Sequence, residues 1–260
     1  MRKSIFIFML LLAGSITRAQ DRSLFEKQYF ISGNDTLRLR ILTPKDYTPK
    51  KKYPVVLFLH GAGERGDDNE AQLTWGADFF LDSLNRAKYS AIVIFPQCPK
   101  DSSWAQSRQA PVKDSLGSYT VRTDLPATRS LQLVMDFVDT LLVHGGVDRS
   151  RIYVGGLSMG GFGTFDILWR RPDLFAAAFP ICGAGDPEKT KVYRKKLPVW
   201  VFHGVADPVI PVSNSRRMVN AMKANGAVVQ YTEYPGVGHD SWKNAFAEPG
   251  LLPWLFAQKK

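Results

Sequence analysis

Residues 152–161 read Ile152-Tyr153-Val154-Gly155-Gly156-Leu157-Ser158-Met159-Gly160-Gly161, an apolar run that leads into Gly-x-Ser-x-Gly. This pattern is typical of a nucleophile elbow, a sharp turn between a strand and a helix that exposes the serine hydroxyl. We expect glycine at positions 156 and 160 because a Cβ there would collide with the neighbouring strand and helix. The free N–H groups at the start of the helix favour a developing negative charge. Since the pentapeptide is common by chance, its meaning depends on the rest of the chain.

Residues 1–19 have the features of a secretory signal peptide. Arg2 and Lys3 precede an apolar run from Ile5 to Leu12, and small residues lie near Ala19, where cleavage is expected. A membrane-spanning helix needs about 20 apolar residues, which is longer than this run. The sequence therefore predicts a secreted or periplasmic protein with no stable membrane anchor.

The mature chain, residues 20–260, is long enough for one large core, and a single α/β domain is its simplest organisation. The net charge of +10 falls to +7 without the signal peptide. We expect the basic clusters at 50–52 and 194–196 to be solvated surface, because neither is interleaved with a recognition motif. The sequence therefore predicts no nucleic-acid partner.

Apolar runs alternate with helical patterns along the mature chain. Residues 25–32 and 36–43 alternate on either side of a glycine turn and predict a hairpin. The other predicted strands are 55–59, 91–95, 152–154, 176–181, 199–202 and 228–234, and the predicted helices are 70–86, 126–143, 159–170, 213–224 and one from about 243. The alternation predicts an α/β fold with a mostly parallel, doubly wound sheet and an antiparallel N-terminal hairpin. In such a sheet the site lies at the carboxyl ends of the strands.

A serine nucleophile needs a base, and enzymes with this elbow carry Ser, then Asp or Glu, then His along the chain. The chain has four histidines. His60 and His144 precede Ser158, and His203 precedes any suitable acid. The remaining histidine, His239, follows the last predicted strand on a glycine-rich loop and is the predicted base.

The carboxylate that orients this base should also lie at a strand end. Asp207 directly follows the strand at 199–202 and is the predicted partner of His239. Asp186, which follows the preceding strand, is the alternative. Asp240 adjoins His239 too closely to be its natural partner.

The oxyanion of a tetrahedral intermediate needs two hydrogen-bond donors. The N–H of Met159, the residue after the nucleophile, is the first predicted donor. The second should come from the glycine-rich loop at 60–66, with Ala62 as the first choice and Gly63 as the next. This loop lacks a Gly-Lys-Ser/Thr ending and the Gly-x-Gly-x-x-Gly spacing, which disfavours nucleotide binding.

These motifs resemble those of the α/β-hydrolase superfamily over nearly the whole mature chain. The segments Leu59–Gly66, Phe95–Pro99 and Gly238–Trp242 resemble exported bacterial esterases of the phospholipase/carboxylesterase and feruloyl-esterase-like group, often labelled predicted peptidases. The resemblance implies a triad of Ser158, Asp207 and His239, with Ala62 and Met159 as oxyanion donors.

The sequence thus predicts a serine carboxylic-ester hydrolase that acts through an acyl-enzyme on Ser158. The alternatives are a phospholipase or a serine peptidase of the prolyl-oligopeptidase-like type on short peptides. Sequence separates esterase from peptidase poorly, because alcohol and amine leaving groups need the same acid, His239. No cofactor and no metal are expected.

Two tryptophans are candidate substrate-binding residues. Trp104 lies in the long stretch 99–124, which also carries Tyr119, and Trp242 follows the predicted base. Aromatic planes among Ser, Gln and Arg suit a sugar or a phenolic ring. This favours short-chain or aromatic acyl esters, including those of an oligosaccharide. The alternative is that both indoles only pack the loops down.

We expect Cys98 and Cys182 to stay unpaired. In the usual strand order of these hydrolases, the strands at 55–59 and 152–154 lie between the two cysteines. Three strand spacings of about 4.8 Å exceed the Cα separation of about 7 Å that a disulfide allows.

Overall fold

The computed structural model describes residues 21–109, 119–144, 146–193 and 195–260. The predicted signal peptide lies outside the described residues. The strands are β1 (Glu26–Ser32), β2 (Asp35–Leu42), β3 (Tyr53–Leu59), β4 (Ile92–Gln97), β5 (Ser107–Gln109), β6 (Tyr119–Val121), β7 (Val147–Leu157), β8 (Ala177–Ile181), β9 (Pro198–Gly204) and β10 (Val228–Tyr234). The α-helices are α1 (Ala77–Leu81), α2 (Ser83–Lys88), α3 (Arg129–His144), α4 (Met159–Arg170), α5 (Ser213–Ala224), α6 (Trp242–Ala247) and α7 (Leu251–Phe256).

Eight strands form one sheet in the order β1-β2-β4-β3-β7-β8-β9-β10. The strands β1 and β2 form the antiparallel hairpin, and β2 also pairs antiparallel with β4. All pairings from β4 to β10 are parallel. The sequence prediction of a mostly parallel sheet with an antiparallel N-terminal hairpin is therefore confirmed.

Alternate side chains of the central strand β3 enter two separate hydrophobic layers. Val55, Leu57 and Leu59 pack with α3, α4 and α5 on one face of the sheet. Val56 and Phe58 pack with α1, α6 and α7 on the other face. Because both faces are covered, β3 is buried along its whole length, which explains its unbroken apolar sequence.

The helix predicted at 70–86 is wrong as a single helix. A short 3-10 turn (Ala71–Leu73) is followed by α1 and then α2. Gly76 adopts φ +87° before α1, and the Asp82 side chain accepts the N–H groups of Leu84 and Asn85 at the start of α2. A left-handed residue or an N-cap residue interrupts a helix at its own position, even where the apolar residues on both sides keep a helical spacing.

The predicted C-terminal helix is likewise divided into α6 and α7. Pro249 and Gly250 lie between the two helices, and the residue before a proline is biased away from helical geometry. Both helices still place apolar side chains on the second layer of the sheet. Within the described part of the chain, no helix is long and apolar enough to cross a membrane.

Candidate active site

Ser158 occupies the strained turn between β7 and α4. Its backbone has φ 52° and ψ −117°, and its N–H donates to the Ile181 carbonyl at 2.9 Å. A Cβ on Gly160 would lie 1.8 Å from the Leu59 carbonyl oxygen, and one on Gly156 would lie 2.4 Å from the Gly160 oxygen. The two glycines therefore allow β3, β7 and α4 to meet closely enough to form the elbow.

Three side chains from separate strand ends form a hydrogen-bonded relay. His239 Nε2 lies 2.9 Å from Ser158 Oγ, and His239 Nδ1 lies 2.7 Å from Asp207 Oδ2. A carboxylate only accepts, so the Nδ1 proton is donated to Asp207 and Nε2 is free to accept the serine proton. The structure thus brings together the three residues that the sequence selected, in the geometry of a nucleophile, a base and its orienting acid.

Asp207 accepts three hydrogen bonds and lies beside a second, buried histidine, His203. Its Oδ1 accepts the backbone N–H groups of Val209 at 2.8 Å and Ile210 at 2.9 Å. Burial by itself raises the pKa of Asp207, but the neighbouring His203 and the hydrogen bonds from His239 and the two backbone groups outweigh burial and hold this pKa well below its usual range. The carboxylate therefore stays charged while it faces the imidazole.

His203 is a site residue that the sequence reasoning missed. It is fully buried, and its Nε2 lies 3.3 Å from Asp207 Oδ2 and 2.7 Å from the Ile210 carbonyl oxygen. Its Nδ1 lies 2.7 Å from Ser215 Oγ. Chain order removed His203 from the candidates for the base, but its position at the end of β9, four residues before Asp207, is a usable signal for a supporting role.

The alternative acids have other partners. Asp186 caps a 3-10 turn through the Glu188 N–H at 2.9 Å and accepts the Thr123 hydroxyl. Asp240 forms an exposed ion pair with Lys243 at 2.8 Å. Neither carboxylate replaces Asp207 in the relay.

The predicted oxyanion donors flank the nucleophile. Met159 begins α4, whose first N–H groups have no partner within the helix. The loop after β3 forms a short turn, Ala62–Glu64, and a Cβ on Gly61 would lie 3.7 Å from Ser158 Cβ. Ala62 and Gly63 are both exposed in this loop. The loop is therefore adjacent to Ser158, as the second donor requires.

Trp104 is not placed to contact a substrate, which corrects the sequence interpretation. Its side chain is fully buried, its Nε1 donates to the His60 carbonyl at 2.9 Å, and its ring lies edge-on to the His60 ring. A Cβ on Gly163 would come within 2.5 Å of Trp104 Cβ, so the loop packs directly on α4. The Trp104 indole therefore fixes its own loop against α4 and does not face the solvent.

Trp242 lies beside His239, the predicted base. Its ring is edge-on to His239 with centroids 5.5 Å apart, and its other neighbour is Trp75 at 5.6 Å. Both indoles are partly exposed. The two indoles thus form a small aromatic cluster beside His239. The sequence analysis did not identify Trp75 as a member of this cluster.

Cys182, Asp207 and His239 place potential metal ligands within 4.8 Å of one another. Burial, the main cause, raises the pKa of the Cys182 thiol far above neutral, so the sulfur is not the thiolate that a metal ion prefers. The other two side chains are already hydrogen-bonded within the relay. The donor set fits a serine relay better than a metal centre.

The sheet order, the elbow and the relay together define an α/β hydrolase. Residues 46–248 match the family model described as Phospholipase/Carboxylesterase, and the chain belongs to that family. The chain is accordingly a hydrolase that acts on esters.

The chain is similar to proteins named esterases and to one named a peptidase. The chain is similar to the crystal structure of a thermostable esterase, with 36% sequence identity and a TM-score of 0.81. The match covers 92% of this chain and 64% of the esterase chain. A probable carboxylesterase of Oryza sativa subsp. japonica is 25% identical over 72% of this chain and 81% of its own length. A probable dipeptidyl-peptidase 5 of Aspergillus niger is 24% identical over 83% of this chain, which spans only 32% of that protein.

Proposed function

We propose that the protein is an exported serine carboxylesterase that acts through an acyl-enzyme on Ser158. The observation that carries the proposal is the continuous relay from Ser158 Oγ through His239 to the charged Asp207. This geometry supports general-base activation of a hydroxyl at neutral pH.

In the acylation half, Ser158 Oγ attacks the ester carbonyl while its proton passes to His239 Nε2. Asp207 stabilises the resulting imidazolium through Nδ1. The carbonyl oxygen becomes an oxyanion that accepts hydrogen bonds from the N–H groups of Met159 and Ala62. When the tetrahedral intermediate collapses, His239 returns the proton to the departing alkoxide, and the alcohol leaves.

In the deacylation half, a water molecule replaces the alcohol. His239 takes one proton from the water as its oxygen attacks the acyl carbonyl, and the same two N–H groups hold the second oxyanion. Collapse breaks the bond to Ser158 Oγ, which recovers its proton from His239. The products are the carboxylic acid and free enzyme.

We propose short-chain or aromatic acyl esters, including esters of carbohydrates, as the substrate class. Two partly exposed indoles, Trp75 and Trp242, line the cleft beside His239. Indole planes stack on sugar or phenolic rings, whereas a long acyl chain favours an aliphatic channel. Because Trp104 is buried, the substrate contact falls to Trp242 instead.

The activity is tested with Ser158→Ala and a substrate panel. The variant should fold normally and lose ester hydrolysis by about 10⁴-fold or more, because triad residues act as a unit. The panel compares acetyl, feruloyl and long-chain acyl esters with an aminoacyl amide. Retention of more than a few per cent of activity in Ser158→Ala contradicts the nucleophile assignment, and faster turnover of the amide favours the peptidase alternative.

The substrate class is tested with Trp242→Ala and Trp104→Ala. The first variant should lower kcat/KM for feruloyl or acetyl xylo-oligosaccharides more than for a simple acetyl ester, because it removes a ring contact. Trp104→Ala should reduce stability and lower turnover of all the esters alike. Equal losses in Trp242→Ala, or a preference for the long-chain ester, remove the basis for the carbohydrate proposal.

Export is proposed from residues 1–19. Cleavage after Ala19 should yield a mature chain beginning at Gln20. N-terminal sequencing of the protein from the extracytoplasmic fraction tests this, and an intact Met1 in the soluble cell fraction contradicts it.

A further inference from the structure

His60 directly follows the central strand β3 and precedes the turn that carries Ala62. Its side chain is buried, and both of its ring nitrogens have backbone partners. Nδ1 lies 2.6 Å from the Gly61 carbonyl oxygen, and Nε2 lies 3.0 Å from the Cys98 nitrogen. No step of the proposed reaction uses this histidine.

The partners of His60 determine which ring nitrogen carries the proton. The Cys98 N–H can only donate, so Nε2 must accept and is unprotonated. The Gly61 carbonyl can only accept, so Nδ1 must carry the hydrogen and donate it. Burial, the largest cause, lowers the pKa of His60 to about 4, so the ring keeps this neutral form at neutral pH.

The Gly61 carbonyl belongs to the same peptide group as the Ala62 N–H. A trans peptide is planar, and its C=O and N–H point in opposite directions. The carbonyl points to the buried His60 ring, whereas Ala62 is on the exposed side of the loop. A hydrogen bond that fixes this carbonyl therefore also fixes the direction of the proposed oxyanion donor.

The Gly61 carbonyl also accepts the Glu64 N–H, at a longer distance of 3.4 Å, and glycine at position 61 increases the need for the shorter hydrogen bond from His60. A Cβ there would lie 2.7 Å from Leu157 Cδ1 and 3.7 Å from Ser158 Cβ, so close packing against the elbow favours glycine. Glycine also gives the backbone the most conformational freedom, which lowers the cost of rotating the following peptide group. A rotated peptide would direct its carbonyl, instead of its N–H, towards the cleft.

We propose that His60 is a positioning residue that locks the Gly61–Ala62 peptide, so that the Ala62 N–H faces the oxyanion. The proposal rests on the proposed function. Rotation of the peptide would leave the His60 Nδ1–H buried and unpaired, which opposes the rotation. Trp104 also restrains His60, because its indole donates a hydrogen bond to the His60 carbonyl and contacts the imidazole ring.

Two substitutions test the two hydrogen bonds of the His60 ring one at a time. In His60→Asn the amide nitrogen can occupy the place of Nδ1 and donate to Gly61, but nothing replaces Nε2. In His60→Gln the longer amide can present its oxygen at the place of Nε2 and accept from Cys98, but the donor to Gly61 is lost. Each variant keeps one hydrogen bond to the backbone.

We expect His60→Gln to lower kcat by about 10²-fold, the size of effect seen when an oxyanion donor is lost, with KM within threefold of wild type. His60→Asn should keep kcat within about tenfold of wild type. A boronic acid that forms a tetrahedral adduct with Ser158 should bind more weakly to His60→Gln by a similar factor. Binding of the carboxylic acid product should stay unchanged in both variants.

The proposal is overturned if His60→Asn loses as much kcat as His60→Gln, or if the loss appears in KM with unchanged boronic acid affinity. If His60→Gln does not fold, nitrogen-15 NMR of histidine-labelled wild-type protein still decides the matter. A His60 ring protonated at Nδ1 at neutral pH supports the lock, and protonation at Nε2 refutes it. This measurement needs no substrate, so it is distinct from a failure of the wild-type protein to hydrolyse any ester.

Discussion

At the residue scale, Asp207 shows how surroundings determine a chemical role. Its side chain is inaccessible to solvent, a location that disfavours charge, but hydrogen bonds from His239 and two backbone groups, together with the nearby His203, keep it ionised. The buried His203 lies 3.3 Å from the Asp207 carboxylate and is itself held by hydrogen bonds with Ser215 and the Ile210 carbonyl. The loop between β9 and α5 is therefore organised around this one carboxylate.

Replacing Asp207 with asparagine should lower kcat by about 10³-fold to 10⁴-fold. The amide of Asn can donate to His239 Nδ1 and so favour the imidazole tautomer that cannot accept the serine proton. Steady-state kinetics on a short-chain ester measures the loss. As a control, Asp186→Asn should keep most of its activity, because Asp186 lies outside the relay. Should Asp186→Asn be the more damaged variant, the carboxylate is assigned wrongly.

The same substitution should change how stability depends on pH. The pKa of Asp207 is lower in the folded protein than in the unfolded chain, so its charge stabilises the fold above the unfolded value of about 3.9. This contribution is lost as the pH falls towards the folded pKa. Thermal unfolding should thus show a larger gap between wild type and Asp207→Asn at pH 5 than at pH 3. A gap that does not narrow in acid would show that the Asp207 charge does not stabilise the fold.

Residue types and chain order selected Ser158, Asp207 and His239, each of which follows a strand of the sheet. The structure brings these three side chains within hydrogen-bond distance of one another. The same reasoning misplaced Trp104 and passed over His203. Both are fully buried. Trp104 donates to the backbone of His60, 44 residues away in the sequence, whereas His203 lies four residues before Asp207 and was set aside because chain order excludes it as the base. Sequence pattern shows which residues lie near a strand end, but tertiary packing decides which of them face the cleft.

At the element scale, the approach of β3, β7 and α4 depends on the glycines of the elbow. The α4 helix begins one residue after Ser158 and passes so close to the end of β3 that position 160 has no room for a side chain. The strain at Ser158, with its positive φ, is maintained by this packing. The close contact between α4 and the end of β3 therefore affects both the stability of the fold and the position of Ser158.

Gly160→Ala should destabilise the protein by roughly 3 kcal/mol or more, because its Cβ would overlap the Leu59 carbonyl and force the backbones apart. Urea unfolding measures the difference. Gly63→Ala is the matched control: it has no atom within 4 Å of the added Cβ and should change stability by less than about 0.5 kcal/mol. Equal effects of the two substitutions would mean that the elbow is not tightly packed.

The helices were predicted less well than the strands, for a local reason. Strands β3 and β8 are buried at every residue, and β7 and β9 are buried continuously over residues 152–157 and 201–204. These buried stretches are mostly apolar, so the sequence shows them directly. The region from 70 to 88 carries helical periodicity but is divided by a left-handed glycine and an aspartate cap. Periodicity reports which face is buried, whereas single residues such as Gly76 and Asp82 decide where a helix ends.

At the scale of the whole molecule, the strand order separates the two cysteines. Cys98 follows β4 and Cys182 follows β8, and β3 and β7 lie between these strands as predicted. Both thiols are free and fully buried, and burial, the main cause in each case, raises the pKa of each thiol. Their isolation therefore results from the topology of the sheet and does not depend on the redox state of the compartment.

Thiol labelling should consequently report on the integrity of the whole fold. In the native protein neither cysteine should react quickly with an alkylating reagent, because a buried, protonated thiol reacts only when the surrounding structure opens. In concentrated guanidinium without reductant, intact mass should show two alkyl groups per chain, one for each cysteine of the sequence. An unfolded chain with no alkyl group would reveal a disulfide and contradict the strand order, and rapid labelling of one native cysteine would show that its strand end is open to solvent. Because the two sites lie on strands separated by the centre of the sheet, equal labelling rates during slow opening would further indicate that the sheet unfolds as one cooperative unit.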